Sequence, residues 1–288
     1  MKILVIGSTG QVARALARQA GTHEVVRIGR PQIDLAHPTG IADIIGQISP
    51  DAIINAAAYT AVDRAEDDIE AARALNETGP AALARAAGAR GIPFLHLSTD
   101  YVFNGLGGAP YAETAATAPL NIYGQTKADG EKAVMAVNPD ALIVRTSWVY
   151  AHEGTNFVRT MLQLAAGRDT LNVVDDQIGR PTEAHALADA LLELVEHLRG
   201  GAAGGLLHVA NSGEASWKDL AEASISGAGL ATRVTGIPTS AYPTRARRPG
   251  DTRLDLSKAQ AVYGITLPDW QESLERCLEM MGMSGRRV

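Results

Sequence analysis

The sequence predicts an α/β fold, a doubly wound parallel sheet joined to a smaller C-terminal lobe. Short, nearly continuous apolar runs alternate with longer helical patterns over the first 150 residues. That alternation is typical of parallel strands covered by helices on both faces, because right-handed crossovers carry the helices to both sides. A glycine-rich turn follows the first apolar run, and the pattern loosens after about residue 150.

Five apolar runs in the first part of the chain are short enough to be buried strands rather than helices. Gly79-Pro80 predicts a break in the third helical region, and Pro38 suits the first turn of the second, where a missing N–H costs little. The predicted strands are 3–6, 24–28, 51–58, 92–98 and 141–147, and the predicted helices are 11–20, 38–48, 63–90 and 120–137.

The second half predicts helices at 155–166, 183–198, 216–226 and 269–282, separated by loops rich in Gly, Pro and Arg. We predict a dinucleotide-binding domain over 1–150, with elements from about 183–212 returning to it. The rest of 151–288 is predicted to be a discontinuous substrate-binding lobe, and 284–288 (SGRRV) a tail.

Composition excludes several classes of protein. The 288 residues are 46% hydrophobic and 20% charged, with net charge −6, so no overall positive field attracts nucleic acid or an anionic membrane. No apolar run approaches the ~20 residues of a membrane helix, and the start MKILVIGSTG is too short for a signal peptide, so we predict a cytoplasmic protein. The single cysteine, Cys277, cannot form an intrachain disulfide, and we expect it to pack as a small apolar residue.

The turn VIGSTGQVARAL joins the first strand to the first helix and has the spacing of a dinucleotide-binding turn. Gly7 permits the tight turn, and Gly10 lets the backbone approach a pyrophosphate at the helix N-terminus. Ala13 is small enough for close packing of helix on strand. In this position the pattern predicts a Rossmann-like cofactor site; the alternative is an ordinary glycine-rich loop.

The end of the second strand bears on which cofactor binds. An Asp or Glu about 20 residues after the glycines would bind the adenosine ribose of NAD, but Gly29 and Arg30 stand there. Arg30 could hold a 2′-phosphate, which favours NADPH over NADH, or it could be a solvated charge at the strand end. Asp34 and Leu35 follow as candidate contacts to the adenine.

Polar residues at the end of the fourth strand and on the next helix suggest carbonyl reduction. The strand ends with Ser98, Thr99 and Asp100, and carboxyl ends of parallel strands face the ligand. Tyr123 and Lys127 lie four apart, on one helix face. We expect Tyr123 to donate the proton, Lys127 to lower the pKa of Tyr123 and bind the nicotinamide ribose, and the Thr99 hydroxyl to bind the carbonyl oxygen.

These motifs resemble the extended short-chain dehydrogenases/reductases, and more closely the dTDP-4-dehydrorhamnose reductase family. The resemblance covers nearly the full length in order. The segments that carry it, besides the glycine turn, are NAAAYTAVDRAE (55–66), STDYVFNG (98–105), APLNIYGQTKADGEKAV (118–134), RTSWVY (145–150), NFVRTMLQLA (156–165), DDQIGRPT (175–182) and ARRPGDTRLD (246–255).

The resemblance implies NAD(P)H-dependent reduction of the 4-keto group of dTDP-4-dehydro-L-rhamnose, the last step of dTDP-L-rhamnose biosynthesis. The arginine-rich loop of 245–253 suits the diphosphate of a nucleotide sugar. The catalytic candidates are Thr99, Tyr123 and Lys127; the cofactor-binding candidates are Gly7, Gly10, Gln11, Val12, Arg30, Asp34, Leu35, Ala58, Tyr59, Thr60, Leu97, Tyr123 and Lys127; the substrate-binding candidates are Thr99, Asp100, Trp148, Arg248 and Arg253.

Departures from the family pattern and related functions leave alternatives open. Some members dimerise around magnesium held by acidic residues, but Ala15 and His185 occupy the matching positions here, so we predict no metal and leave a homodimer open. A related 4-epimerase, 4,6-dehydratase or other 4-keto reductase of nucleotide sugars is an alternative, although the Asp-Glu pair of dehydratases is replaced by Asp100-Tyr101. A non-catalytic NADP-binding regulatory subunit is another. His96 and His208 are expected to be core residues rather than metal ligands.

Overall fold

The computed structural model describes residues 1–107 and 110–283. All five strands predicted in the first part of the chain are present, each shifted by a few residues at most. The strands of this part are β1 (Lys2–Ile6), β2 (Glu24–Ile28), β3 (Ala52–Asn55), β4 (Phe94–Thr99) and β5 (Leu142–Thr146), and its helices are α1 (Gln11–Arg18), α2 (Ile41–Ile48), α3 (Val62–Ala65), α4 (Ile69–Arg73), α5 (Gly79–Gly88) and α6 (Ile122–Val137).

The later part of the described chain contains the four predicted helices, each within a few residues of its expected bounds, and also short strands and a fifth helix that the sequence did not predict. The predicted tail at 284–288 lies outside the described residues. The strands are β6 (Val149–Tyr150), β7 (Thr170–Val174), β8 (Ile178–Gly179), β9 (Thr182–Glu183), β10 (Gly205–His208), β11 (Asn211–Ser212), β12 (Ala215–Ser216), β13 (Arg233–Ile237) and β14 (Leu267–Asp269), and the helices are α7 (Phe157–Ala165), α8 (Ala184–Arg199), α9 (Trp217–Gly227), α10 (Ser257–Tyr263) and α11 (Trp270–Met280).

The central sheet has six parallel strands in the order β10-β5-β4-β3-β1-β2. The chain moves outward from β1 to β2 and then crosses to β3 on the other side of β1. Open α/β sheets bind ligands at the carboxyl ends of their strands, beside such a reversal. Strand β10 returns from the second half of the chain to pair with β5, Leu207 lying beside Val144.

Alternate residues of each strand pack against different helices, which is why the strands read as continuous apolar runs. Ile3 and Val5 share a core with residues of α1 and α8, whereas Leu4 and Ile6 share the opposite core with α2 and α5. Because both faces of the sheet are covered, both sets of β1 side chains are apolar.

The third helical region differs from its prediction. A single helix with a break at Gly79-Pro80 was expected; the structure instead has α3, α4 and a π-helix at Ala74–Thr78 that runs directly into α5. Pro80 lies in the first turn of α5, where its missing N–H is tolerated. Gly79 is required by packing, because a Cβ there would lie 2.7 Å from Cβ of Leu35. The irregularity therefore falls just before the Gly-Pro pair.

The second half forms smaller cores around α7, α9 and α11, with β7 and β13 paired in parallel. Cys277 is fully buried among apolar residues of this region, so its predicted packing role is confirmed, and burial raises the pKa of its thiol to about 12. In the described part of the chain, no helix has both the length and the apolar character needed to cross a membrane.

Candidate active site

The glycine turn lies at the carboxyl end of β1, as the sequence predicts. Gly7 has φ +119°, a conformation that L side chains rarely adopt, and its N–H donates to the Ile28 carbonyl at 2.8 Å. Gly10 caps the N-terminus of α1, and a Cβ there would meet nothing within 4 Å. Gln11 and Val12 begin the helix, and buried Ala13 packs on the sheet. The side of Gly10 on which a Cβ would lie is therefore open, and the free N–H groups at this helix start suit an anion.

Arg30 and Asp34 follow β2 and lie at the same edge of the sheet. Arg30 is exposed. The carboxylate of Asp34 accepts from the N–H of Ala36 at 3.0 Å, and this bond, with a contact to His37, lowers the pKa of Asp34. Leu35 is buried against Gly79. The Asp34 carboxylate thus stabilises its own turn through both of its oxygens.

The loop after β3, which contains Ala58, Tyr59 and Thr60, is held by a residue that the sequence did not single out. Asn76, fully buried in the π-helix, accepts from the N–H of Tyr59 at 2.8 Å and donates to its carbonyl at 3.2 Å. The same amide donates to Oγ1 of Thr126 on α6 at 3.0 Å. Asn76 therefore fixes the distance between this loop and α6.

The structure brings Thr99, Tyr123 and Lys127 to one place at the carboxyl end of β4. The side chain of Asn121 caps α6 by accepting from the N–H of Gly124 at 2.8 Å, which places Tyr123 in the first turn of α6. Lys127, one turn on, is buried and donates from Nζ to the carbonyl of Leu97 at 2.6 Å. Thr99 is 5% exposed at the end of β4.

The expected lowering of the Tyr123 pKa by Lys127 is wrong for this structure. Burial raises the pKa of Tyr123 to about 12; the Asp100 carboxylate raises it further, and a hydrogen bond with Thr99 lowers it. Burial lowers the pKa of Lys127 to about 8, against the attraction of Glu131. Desolvation is the largest cause of the shift, and Nζ of Lys127 donates to the Leu97 carbonyl rather than to the phenol. Tyr123 consequently holds its proton firmly at neutral pH.

The carboxylate of Asp100 is buried and hydrogen-bonded within the protein rather than open to a substrate. Asp100 is 2% exposed; its two oxygens accept from Oγ1 of Thr99 at 3.0 Å and Oγ1 of Thr252 at 2.5 Å. Burial raises the pKa of Asp100 to about 6 despite these bonds. The predicted direct contact with substrate is therefore not what this geometry offers, because both oxygens are already occupied by hydroxyl groups.

A cavity of about 690 Å³ opens between Tyr101, which packs edge-on against Tyr123, and the second half of the chain. Its wall includes Trp217, Gln177 and Tyr242, none of which the sequence analysis identified. Trp148 stacks on Trp217 at 3.6 Å between ring centroids, so it supports the wall from behind. The sequence around Trp217 signals only a helix start, through the capping box of Ser216 and Asp219.

The two arginines predicted to bind substrate have different positions. Arg248 lines the cavity and forms two hydrogen bonds to the Asp63 carboxylate, at 2.9 and 2.7 Å. Arg253 lies between Asp251 and Glu214, each 2.7 Å from its guanidinium, and those two hydrogen bonds raise its pKa. Arg248 can therefore reach a ligand in the cavity, whereas Arg253 chiefly ties loops together.

No cluster of three or more His, Cys, Asp or Glu side chains able to hold a metal occurs among residues 1–107 and 110–283. Ala15 is buried in the core, and Nδ1 of His185 contacts the Glu183 carboxylate at 2.8 Å. His96 and His208 are fully buried, as predicted.

The chain is similar to known proteins over nearly its full length. A family model described as RmlD substrate binding domain matches residues 1–283. The dTDP-4-dehydrorhamnose reductase of Sinorhizobium fredii is 42% identical, with 99% of each chain covered. That of Escherichia coli strain K12 is 45% identical, with 96% of this chain and 97% of its own covered. The crystal structure of dTDP-4-dehydrorhamnose reductase from Bacillus anthracis in complex with NADP has a TM-score of 0.92 and 31% identity, with 97% and 99% covered.

Proposed function

The chain belongs to the RmlD substrate binding domain family, and from that membership we propose that it reduces the 4-keto group of dTDP-4-dehydro-L-rhamnose with NADPH. The product is dTDP-L-rhamnose, a nucleotide sugar. The Bacillus relative holds NADP, and the open glycine turn and exposed Arg30 of this chain suit a phosphorylated dinucleotide.

The observation that carries the proposal is the convergence of Thr99, Tyr123 and Lys127 beside the cavity. NADPH supplies the hydride. Tyr123, protonated at neutral pH, gives its proton to the oxygen that becomes the alcohol. Thr99 lies beside that phenol, and its hydroxyl, which donates to Asp100 in the free protein, would turn to the substrate carbonyl, while Lys127 binds the cofactor ribose.

The substrate is proposed to occupy the 690 Å³ cavity, with Arg248 near its diphosphate and Trp217 against its sugar or base. We propose that residues 1–150, with about 183–212, hold the cofactor and that most of 151–288 binds the sugar nucleotide.

Tyr123→Phe tests the proposal. Turnover of dTDP-4-dehydrorhamnose, followed by NADPH absorbance, should fall ~10²-fold or more, because the proton donor is lost. The dissociation constant for NADPH, measured by fluorescence titration, should change less than about twofold. Tyr263→Phe is the matched control, since the Tyr263 hydroxyl donates to the Ala203 carbonyl far from the site. Parental turnover by Tyr123→Phe would refute the role.

A further inference from the structure

The groups that contact Nζ of Lys127 are a backbone carbonyl and a histidine ring. Nζ donates to the Leu97 carbonyl at 2.6 Å and lies 3.4 Å from Nε2 of His96. Lys127 is 2% exposed and His96 is fully buried. The charge state of Lys127 therefore depends on burial and on the groups that contact Nζ.

The hydrogen bonds around His96 determine which of its nitrogens carries the proton. Oδ1 of Asn55 accepts from the N–H of Ala57 at 3.2 Å, so the other end of that amide is the donor Nδ2. Nδ2 lies 2.9 Å from Nδ1 of His96, which must accept. Burial, reinforced by the charge of Lys127, holds the pKa of His96 well below its usual value, so the ring is neutral. Its one proton is then on Nε2, pointing at Lys127.

An N–H aimed at an ammonium is repulsive, whereas a neutral amine can accept it. We propose that His96, oriented by Asn55, is a positioning residue for Lys127: its Nε2–H opposes the ammonium form and donates to the neutral amine, whose Nζ then lies between the ring and the Leu97 carbonyl. This inference rests on the proposed role of Lys127 in binding the cofactor ribose.

The other charged and titratable groups around Lys127 do not supply the opposition to the ammonium form that we propose for His96. Glu131 favours the ammonium, but its carboxylate is shared with a bidentate contact to Arg145, at 2.8 and 2.6 Å, and with the Ser98 hydroxyl. Burial acts in the same direction as His96 and lowers the pKa of Lys127 to about 8. The groups to be considered in any titration are Tyr123 and Glu131 on α6, His96 on β4, Asp100 after β4 and Arg145 on β5.

His96→Asn is the informative variant, because the Asn amide oxygen can still accept from Asn55 while the Nε2–H is gone. The alkaline limb of kcat/KM for NADPH, set by loss of the Lys127 ammonium, should move upward by about one pH unit. His208→Asn is the matched control. His208 is also fully buried, and its Nε2 is also 3.4 Å from a cation, Nη1 of Arg145. Arginine stays charged throughout, so that variant should leave the limb in place.

The tautomer can be observed directly. Long-range ¹H–¹⁵N spectra of ¹⁵N-histidine-labelled protein, assigned with the two variants, should show His96 protonated at Nε2 and unprotonated at Nδ1. Asn55→Asp is a second variant should His96→Asn fail to fold. Its carboxylate would draw the proton to Nδ1, turn Nε2 into an acceptor and also raise the alkaline limb.

The possible outcomes separate the role of His96 from the role of Lys127. A proton on Nδ1 in the parental protein would overturn the inference whatever Lys127 does. An alkaline limb that stays in place in His96→Asn, while Lys127→Met abolishes it, would refute the role of His96 alone. Parental kcat/KM and an unchanged limb in Lys127→Met would refute the role of Lys127, and this inference with it.

Discussion

Replacing Arg145 by methionine should destabilise the protein strongly, although the residue touches neither the cavity nor the glycine turn. Arg145 on β5 and Glu131 on α6 are only 2% and 5% exposed as side chains and share two hydrogen bonds, of 2.8 and 2.6 Å. The substitution leaves the Glu131 carboxylate in the core with one remaining donor among residues 1–107 and 110–283, the Ser98 hydroxyl at 2.5 Å. A buried charge without its partner is far more costly than the pair is stabilising.

The size of the destabilisation caused by Arg145→Met follows from that geometry. Removing one member of a buried pair costs about 3–5 kcal/mol. The contact of the Arg145 guanidinium with the Phe103 ring, 5.1 Å from its centroid, adds up to ~1 kcal/mol. At ~2–4 °C per kcal/mol, the melting temperature should fall by roughly 6–24 °C. The double variant with Glu131→Leu removes both charges and should recover to within ~1 kcal/mol of the parent.

Urea unfolding of the parent, both single variants and the double variant, followed by circular dichroism, gives the full cycle. A single variant that costs less than ~1 kcal/mol would show that Glu131 finds water or another donor, and would refute the reasoning. So would a double variant whose loss equals the sum of the two single losses, because the charges would then be acting independently.

Three further changes should have distinct effects. Gly130→Ala should cost ~1–3 kcal/mol and lower turnover, because its Cβ would lie 1.9 Å from the Asn76 carbonyl oxygen, whereas Gly167→Ala, with nothing within 4 Å, should be near neutral in urea unfolding. Asp100 has a pKa raised from 3.8 to about 6, so its contribution to the free energy of unfolding is present below pH ~3.8 and is lost, by ~3 kcal/mol, as pH rises through about 6. Asp100→Asn should remove that slope between pH ~4 and ~6, and an unchanged slope would contradict the assignment. Arg30→Ala should raise KM for NADPH ~10–100-fold and leave KM for NADH unchanged, and an equal loss with both cofactors would contradict a 2′-phosphate contact.

The elements that sequence reasoning predicted well are those encoded by local pattern. The strands, the glycine turn and the Tyr123–Lys127 spacing each depend on residues a few positions apart. The tertiary structure places these features at the carboxyl ends of β1 and β4 as expected, since parallel strands end at a common edge. The roles of the individual residues stay predictions.

Pairings between distant segments could not be predicted. Arg248 and Asp63 are 185 residues apart, and Asp100 and Thr252 are 152 apart. Composition shows that arginines are present but not which carboxylates they meet. The pKa of Tyr123 likewise depends on burial by the assembled fold, so a four-residue spacing gave the wrong direction.

The return of β10 to the central sheet has a consequence for how the chain is made. Ribosomes release the N-terminal part first. Until β10 has emerged, β5 presents unpaired N–H and C=O groups along its free edge, and α1 lacks its packing partner α8. The nascent chain can form its glycine turn early but cannot close the edge of the sheet until translation has passed His208. We therefore expect chains truncated near residue 150 to aggregate, even though they contain the glycine turn, Thr99, Tyr123 and Lys127.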